Sequence, residues 1–359
     1  QWDGKDLFEL QIPTYRADIT GEIDIIEEIA RIYGYDNITP VEPKYHGSEL
    51  PHAAMYLFEK KARSHMLSRR LQEFITCDLI GPTLLNVIKV NCMPADATIQ
   101  VLNPTSIEQS ILRTSLLPGL LQLVKYNHDH QNSHLAGFEI GRIHFKSNGN
   151  YKEQSMLGIV MAGDADLAHW SRKSSKLDFF DLKGVIESFL SGIGIKNLTF
   201  IISSLNTFHP GRQLTIHLGD LKIGALGEVH PAIIKRLDVP ERILFAEINL
   251  HDLYQMRIRE EKILDLPLFP ASERDWTITI SKEVPIADVF DKIRSISSEL
   301  LEEVTLIDIY ESDKLGKDVR NATFHFIYRD KQKTIAQATV DAEHSRIVDG
   351  AIKNGLRSL

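Results

Sequence analysis

The strongest constraint on the fold lies near the end of the chain, where extended and helical patterns follow an order that few architectures share. Residues 276–281 read as a strand, 286–297 as a helix, 304–310 and 322–328 as strands, and 341–353 as a helix, with a short last strand around Leu356. That β-α-β-β-α-β order is the split, ferredoxin-like arrangement. The stretch 260–270, charged and then carrying Pro267 and Pro270, reads as a boundary before it.

Ahead of that boundary the patterning is mixed. Residues 7–13 alternate as a strand and Pro13 ends it; a helix follows from 22 to 33, with Thr20 as N-cap and Gly34 as its stop. Prolines 40, 43 and 51 mark a connector. A helix over 53–74, a strand near 98–102 and a helix after Pro118 come next. Strands at 135–145 and 156–162, a helix at 181–190 and strands at 198–203 and 213–217 complete the series, with a hairpin turn at Gly219-Asp220. Strands outnumber helices and short turns join them, which predicts an α+β fold: an antiparallel sheet with flanking helices. The expected domains are 1–40, 41–262 and 268–359.

Composition removes several classes of function. No stretch approaches ~18 uninterrupted apolar residues, so no transmembrane helix is expected. Cys77 and Cys92 are the only cysteines, too few for a disulfide scaffold or a four-cysteine zinc site, and two thiols fit a reducing cytoplasm. The chain opens at Gln1 with no basic-then-apolar leader and reads as a portion of something longer. The net charge of -8 argues against nonspecific coating of nucleic acid, though not against a shaped RNA contact. The first 40 residues alone carry nine acidic and three basic side chains.

That excess centres on the helix 22–33. Ile26, Ile29, Ile32 and Tyr33 form an apolar stripe, while Asp24, Glu27 and Glu28 cluster on the other side and Asp18 sits in the preceding turn. Clustered like charges within a turn are locally unfavourable. Either this is a solvated acidic face, or the carboxylates converge on a hard dication, for which oxygen-only ligands favour Mg²⁺ over zinc.

The residues Pro13-Thr14-Tyr15-Arg16-Ala17-Asp18-Ile19 and the run from Asp24 to Ile38 resemble the end of the B5 domain in the β subunit of bacterial phenylalanyl-tRNA synthetase. The resemblance implies that Asp18, Asp24, Glu27 and Glu28 bind Mg²⁺ at the contact with the α subunit. Asn103-Pro104, the segment from Leu112 to Leu121, Phe138-Glu139-Ile140-Gly141-Arg142, His209-Pro210-Gly211-Arg212 and the segment from Gly224 to Pro231 resemble that family's core. They imply a class II synthetase-like antiparallel sheet. Active class II sites need arginines on the ATP phosphates, and the Gly224–Gly227 stretch has none. Arg113, Arg142 and Arg212 could be phosphate ligands or salt-bridge partners, the latter being the better reading. His209 and His230 each precede a proline and suit turns or packing. Cys92 has no evident partner and reads as a packed or surface thiol.

In the last region, six basic residues between Lys314 and Lys333 stand against Asp318 and Asp330. A charge run of this kind is usually a solvated face. Phe269-Pro270-Ala271, Arg274-Asp275, Leu306 to Tyr310 and Phe326 to Asp330 resemble the anticodon-binding domain of the same β subunit. The resemblance implies that Tyr310 stacks an anticodon base, with Thr277 and Asn321 nearby. Phe324, Phe326 and Tyr328 read as packing, and Trp276 stands where a smaller apolar residue is common.

Taken together, the resemblance implies a non-catalytic β-subunit portion of phenylalanine–tRNA ligase, cytoplasmic, in an α₂β₂ heterotetramer that uses ATP and Mg²⁺ and binds tRNA(Phe), with no membrane or DNA partner. ATP would be used by the holoenzyme, not bound by this chain. The alternatives are a stand-alone RNA-binding or scaffold protein built from such domains, and, more weakly, an independent ATP-dependent ligase.

Overall fold

The computed structural model describes residues 4–5, 8–42, 47, 50–88, 97–166, 169–195, 198–239, 242–256 and 266–353. Two units divide the chain, Gln1–Arg259 and Glu260–Leu359. In the first, helix α1 (Glu22–Tyr33) covers the expected residues, but its N-cap is Gly21 rather than Thr20. The reason is Asp24: at the third helical position it turns back, and its Oδ2 accepts the N–H groups of Thr20 at 2.7 Å and Gly21 at 2.8 Å. Gly34, at φ 92°, closes the helix where expected, its N–H donating to the Ala30 carbonyl. The apolar stripe is left uncovered, with Ile29 62% and Ile32 83% exposed. The alternating stretch before α1 forms no strand among the described residues beyond a bridging residue at Phe8. Phe8 and Leu10 are both exposed, so that alternation has no buried face among the described residues.

Helix α2 (Ala54–Ser68) is shorter than the 53–74 expected. Arg70 adopts φ 64°, which ends the helical path, and β1 (Gln72–Glu73) pairs in parallel with β5 instead. Then follow β2 (Leu79–Ile80), α3 (Pro82–Ile88), β3 (Ile99–Gln100), β4 (Ile111–Leu112), α4 (Leu117–Asp129), β5 (Leu135–Ser147), β6 (Asn150–Ala162) and α5 (Phe179–Gly192). The unit closes with β7 (Leu198–Ile202), β8 (Phe208–Leu218), β9 (Leu221–Val229), α6 (Pro231–Leu237), β10 (Ile243–Asn249) and α7 (Leu250–Gln255). Strands β2, β4 and β3 make a small antiparallel sheet. The main sheet has seven strands, in the order β1-β5-β6-β10-β9-β8-β7, antiparallel throughout except for β1.

Helices cover both faces of this sheet. Leu116, Leu117, Leu120 and Leu121, at and within α4, pack on Val160, Phe208 and Phe245. On the opposite face, Met66 of α2 and Ile186 and Phe189 of α5 pack on Leu157, Leu226 and Ala246. Strand β10 shows the alternation that assigns side chains to faces: Phe245 looks to α4 and Ala246 to α5. The hairpin expected at Gly219-Asp220 joins β8 to β9, Leu218 pairing with Leu221. A second hairpin, β5–β6, turns on Asn148 at φ 50° and Gly149 at φ 77°.

The second unit runs β11 (Ser272–Ser281), α8 (Ile286–Arg294), β12 (Leu301–Tyr310), β13 (Val319–Tyr328) and α9 (Gln337–Lys353). Its antiparallel sheet has the order β11-β13-β12, with the first strand pairing the third as a split arrangement requires. The last strand expected around Leu356 lies outside the described residues. Ile278, Phe324, Phe326 and Tyr328 on the sheet pack with Val289 and Ile293 of α8 and Val340 and Ile347 of α9. Trp276 belongs to this core: its ring lies 6.2 Å from that of Phe324 and 6.5 Å from that of Phe326.

Candidate functional site

Both helices of the second unit pack on one face of its sheet, which leaves the other face open. Pleating sends Thr277 and Thr279 of β11, Asn321, Thr323 and His325 of β13, and Asp308 and Tyr310 of β12 to that side, none of them fully buried. Register aligns them in rows. Tyr310 pairs with Asn321, which pairs with Thr279; Asp308 pairs with Thr323, which pairs with Thr277. The Thr279 hydroxyl donates to Asn321 Oδ1 at 2.8 Å, and the Thr277 and Thr323 hydroxyls lie 2.9 Å apart. Tyr310 is 54% exposed, its ring free to take a planar partner. The three residues expected from the sequence thus share one face, Thr277 one row from the other two. Thr279 and Thr323 were missed, although period-two alternation from Thr277 and Asn321 points to both.

The acidic cluster is arranged otherwise. Arg16 sits within it, Nη2 donating to Asp18 Oδ2 at 2.8 Å and to Glu28 Oε1 at 2.6 Å, while Arg31 pairs with the other oxygen of Glu28. Hydrogen bonds from Arg16 hold the Asp18 carboxyl below the usual carboxylate range; those from Arg31, then Arg16, do so for Glu28. Asp24 is held low by the Thr20 and Gly21 N–H groups that it caps. Glu27 is exposed. Among the described residues no three His, Cys, Asp or Glu side chains are gathered to hold a metal ion. The donor chemistry suits Mg²⁺, but as folded here the guanidinium of Arg16 stands between two of the four donors.

In the first unit each arginine in question is already committed. Arg113, 2% exposed, donates from Nη1 to Glu139 Oε1 at 2.7 Å and to Thr76 Oγ1 at 2.9 Å. Its Nε donates to the Arg142 carbonyl and its Nη2 pairs with Asp78 at 2.6 Å. Glu139 is equally buried and also accepts from the Thr76 hydroxyl, so both buried charges are paired and hydrogen-bonded. Arg142 pairs with Glu153, and Arg212 with Glu228 at 2.8 Å. The histidines close turns: His209 Nδ1 accepts the Gly211 N–H, and His230 Nδ1 accepts that of Ala232 to cap α6. Cys77 is a free, exposed thiol, and Cys92 lies outside the described residues.

Beside this network, Glu247 of β10 points toward the start of α4, where its Oε1 accepts the Leu116 N–H at 2.7 Å and the Ser115 hydroxyl at 3.0 Å. Burial pushes its carboxyl up to about 7 against those two hydrogen bonds, with Arg113 lowering it and Glu139 raising it more weakly. Nothing in the Phe-Ala-Glu-Ile-Asn stretch of β10 marks it in the sequence.

The phenylalanyl-tRNA synthetase β-chain CLM domain model matches residues 38–250, well over half of the chain. The chain belongs to the phenylalanyl-tRNA synthetase β-chain family. A ferredoxin-fold anticodon-binding domain model matches residues 267–357, and a tRNA synthetase B5 domain model matches residues 1–35. The chain is 55% identical over 347 residues to the phenylalanine–tRNA ligase β subunit of Protochlamydia amoebophila, covering 97% of this chain and 43% of that one. It is 32% identical to the β subunit of Moorella thermoacetica and 31% identical to that of Carboxydothermus hydrogenoformans, covering 96% and 94% of this chain and 43% and 42% of theirs. It therefore spans less than half the length of these relatives. Among solved structures, a pyrrolysyl-tRNA synthetase from Desulfitobacterium hafniense matches with TM-score 0.45 and 16% identity, over 57% of this chain and 69% of that one, a likeness too faint to carry an argument.

Within a phenylalanyl-tRNA synthetase β chain, the segments that carried the resemblance now have physical content. A Cβ on Gly141 would lie 2.4 Å from Arg113 Nη2, and one on Gly227 would lie 2.8 Å from the Phe208 ring. These glycines make room for a buried guanidinium and a core aromatic. No helix among the described residues is long and apolar enough to cross a membrane.

Proposed function

We propose that this chain serves as a non-catalytic part of phenylalanine–tRNA ligase, in the cytoplasm. In this reading it supports an α subunit that attaches phenylalanine to tRNA(Phe) with ATP, within an α₂β₂ assembly, and it contacts the tRNA anticodon. The observation that carries the reading is the open face of the β11-β13-β12 sheet. An exposed aromatic ring at Tyr310 is set beside the hydrogen-bonding group of Asn321, with Thr277 in the next row of the same face, the combination that reads an unstacked base: stacking holds it and polar edges select it. The commitment of Arg113, Arg142 and Arg212 to carboxylates supports leaving the chemistry to the partner. We assign residues 1–40 to the end of a B5 domain, 41–262 to a pseudo-catalytic core and 268–359 to the anticodon-binding domain.

Mg²⁺ bound by Asp18, Asp24, Glu27 and Glu28 at the α-subunit contact is part of the same proposal, supported by the oxygen-only donor set. It requires Arg16 to release Asp18 and Glu28. The test is capture of the matching α subunit with and without Mg²⁺, using the chain and its Asp24→Ala/Glu28→Ala variant, followed by tRNA(Phe) binding by the complex. A complex that binds tRNA(Phe) and loses it on Tyr310→Ala is expected. A chain that ignores the α subunit, or a complex indifferent to Tyr310, overturns the corresponding half of the reading.

A further inference from the structure

Between β6 and α5 the chain forms an arm that none of the roles above uses. Its two sides are tied by main-chain pairing. The Leu177 N–H donates to the Gly163 carbonyl at 3.1 Å, Asp164 bridges Lys176 in antiparallel sense, and the Ala165 N–H donates to the Ser175 carbonyl at 2.8 Å. Lys176 and Asp164 also pair through their side chains at 2.8 Å. Near the tip His169 bridges Arg172 around a tight turn, and its ring fastens that turn: Nδ1 accepts the Ser171 N–H at 3.2 Å and lies 2.9 Å from the Ser171 hydroxyl. Trp170 stands on the turn, 93% exposed, the highest exposure of any large apolar side chain among the described residues.

An indole left in water contributes no burial to the fold, yet this one is presented by a hydrogen-bonded turn. Its surroundings are polar. The His169 ring lies 5.5 Å from the indole, and the exposed Arg172 and Lys173 follow, with no carboxylate partner among the described residues. An open π-face with cations beside it is the chemistry of a single-stranded nucleic-acid contact: the ring stacks on a base of any sequence, and the cations neutralise the adjoining phosphates. A pocket in a protein partner would ask for further apolar side chains around its anchor, and residues 169–176 include none besides Trp170. We propose that the tip of this arm is a contact for single-stranded RNA, Trp170 stacking on an unpaired base while Arg172 and Lys173 meet the phosphates beside it. The net charge of -8 keeps such a contact local, with no general affinity for nucleic acid around it. The arm belongs to the first unit and shares no residue with the sheet face that carries Tyr310, so it stands whether or not that assignment does.

The test measures binding of the full chain to a fluorescein-labelled ten-nucleotide oligoadenylate and to a ten-base-pair RNA duplex, by anisotropy across a salt series, with tryptophan emission followed on the unlabelled strands. The single strand is expected to bind more tightly than the duplex, and to quench emission in the parent but not in Trp170→Phe. Trp170→Ala is expected to weaken single-strand binding about tenfold, within the range for loss of one stacked base. Arg172→Gln/Lys173→Gln is expected to weaken it as well, and to flatten the slope of log affinity against log salt by about 1.4, the share of two phosphates. These side chains are exposed, so the variants are expected to melt like the parent. The series is repeated in a Tyr310→Ala background, where the tip effects should persist, so that failure here and failure at the anticodon face are told apart. The proposal is overturned if the single strand does not bind, if the duplex binds as well, or if Trp170→Ala binds RNA like the parent. In that last case, loss of α-subunit capture by the same variant would make the tip a protein contact instead.

Discussion

Replacing Glu247 by glutamine should change how the stability of the first unit depends on pH. In the folded chain its carboxyl is raised from the ordinary 4.5 to about 7, chiefly by burial. Between those values the folded state holds a proton that the unfolded chain has released. Stability must therefore fall as pH rises through that window, and the folded state carries the whole cost above it. At about 1.4 kcal/mol per pH unit the difference amounts to roughly 3 kcal/mol, an upper figure because Glu247 keeps some exposure to solvent. Glutamine keeps an oxygen for the Leu116 and Ser115 donors and cannot ionise. It should match the parent near pH 5 and exceed it by up to about 3 kcal/mol near pH 8. The assay is denaturant unfolding of parent and variant at closely spaced pH values, followed by circular dichroism, with amide exchange in β10 as a local check. Taking the difference between the two proteins cancels every other titrating group. A difference that stays flat to within about 1 kcal/mol across that range would refute the assignment.

Four further outcomes are expected. Arg113→Met leaves Glu139 as a buried, uncompensated charge and should cost about 3–5 kcal/mol in denaturant melts, while adding Glu139→Leu should recover much of the loss. Gly141→Ala places a Cβ 2.4 Å from Arg113 Nη2 and 3.0 Å from Glu139 Oε1, so it should destabilise through the same network, more in the parent than in the Arg113→Met background. Tyr310→Phe should keep most tRNA affinity of the α-subunit complex and Tyr310→Ala should lose about 1–3 kcal/mol of it, as read by filter binding, because the ring rather than the hydroxyl does the stacking. Arg16→Gln should tighten Mg²⁺ binding at the acidic cluster in calorimetric titration by freeing Asp18 and Glu28; unchanged affinity would leave the cluster a solvated, ion-paired face.

The sequence reveals most where local rules and tertiary packing agree. The β-α-β-β-α order of the second unit is readable because β11 and β13 have a buried alternation, as in Ala322, Phe324, Phe326 and Tyr328, and each helix has its own apolar face. The expected 53–74 helix ran too far because Leu71 continues the helical period, while its burial is achieved after the turn at Arg70. The Asn148-Gly149 hairpin was a signal left unused. Glu247 is illegible for a different reason: its significance lies in what surrounds it across the sheet, and a lone carboxylate in a strand pattern carries no mark of that.

The motifs that tied this chain to synthetases are the places where its scaffold is most demanding. Gly141 yields to Arg113, Gly227 yields to Phe208, Glu139 neutralises Arg113, and His209 and His230 close turns. Each is explained by packing, pairing or capping. A strong likeness built from such residues argues for a shared sheet, because the same close approaches must be solved wherever that sheet is built. It says little about catalysis. Function has to be sought where the scaffold leaves groups unspent, as at the uncovered ring of Tyr310 beside Asn321.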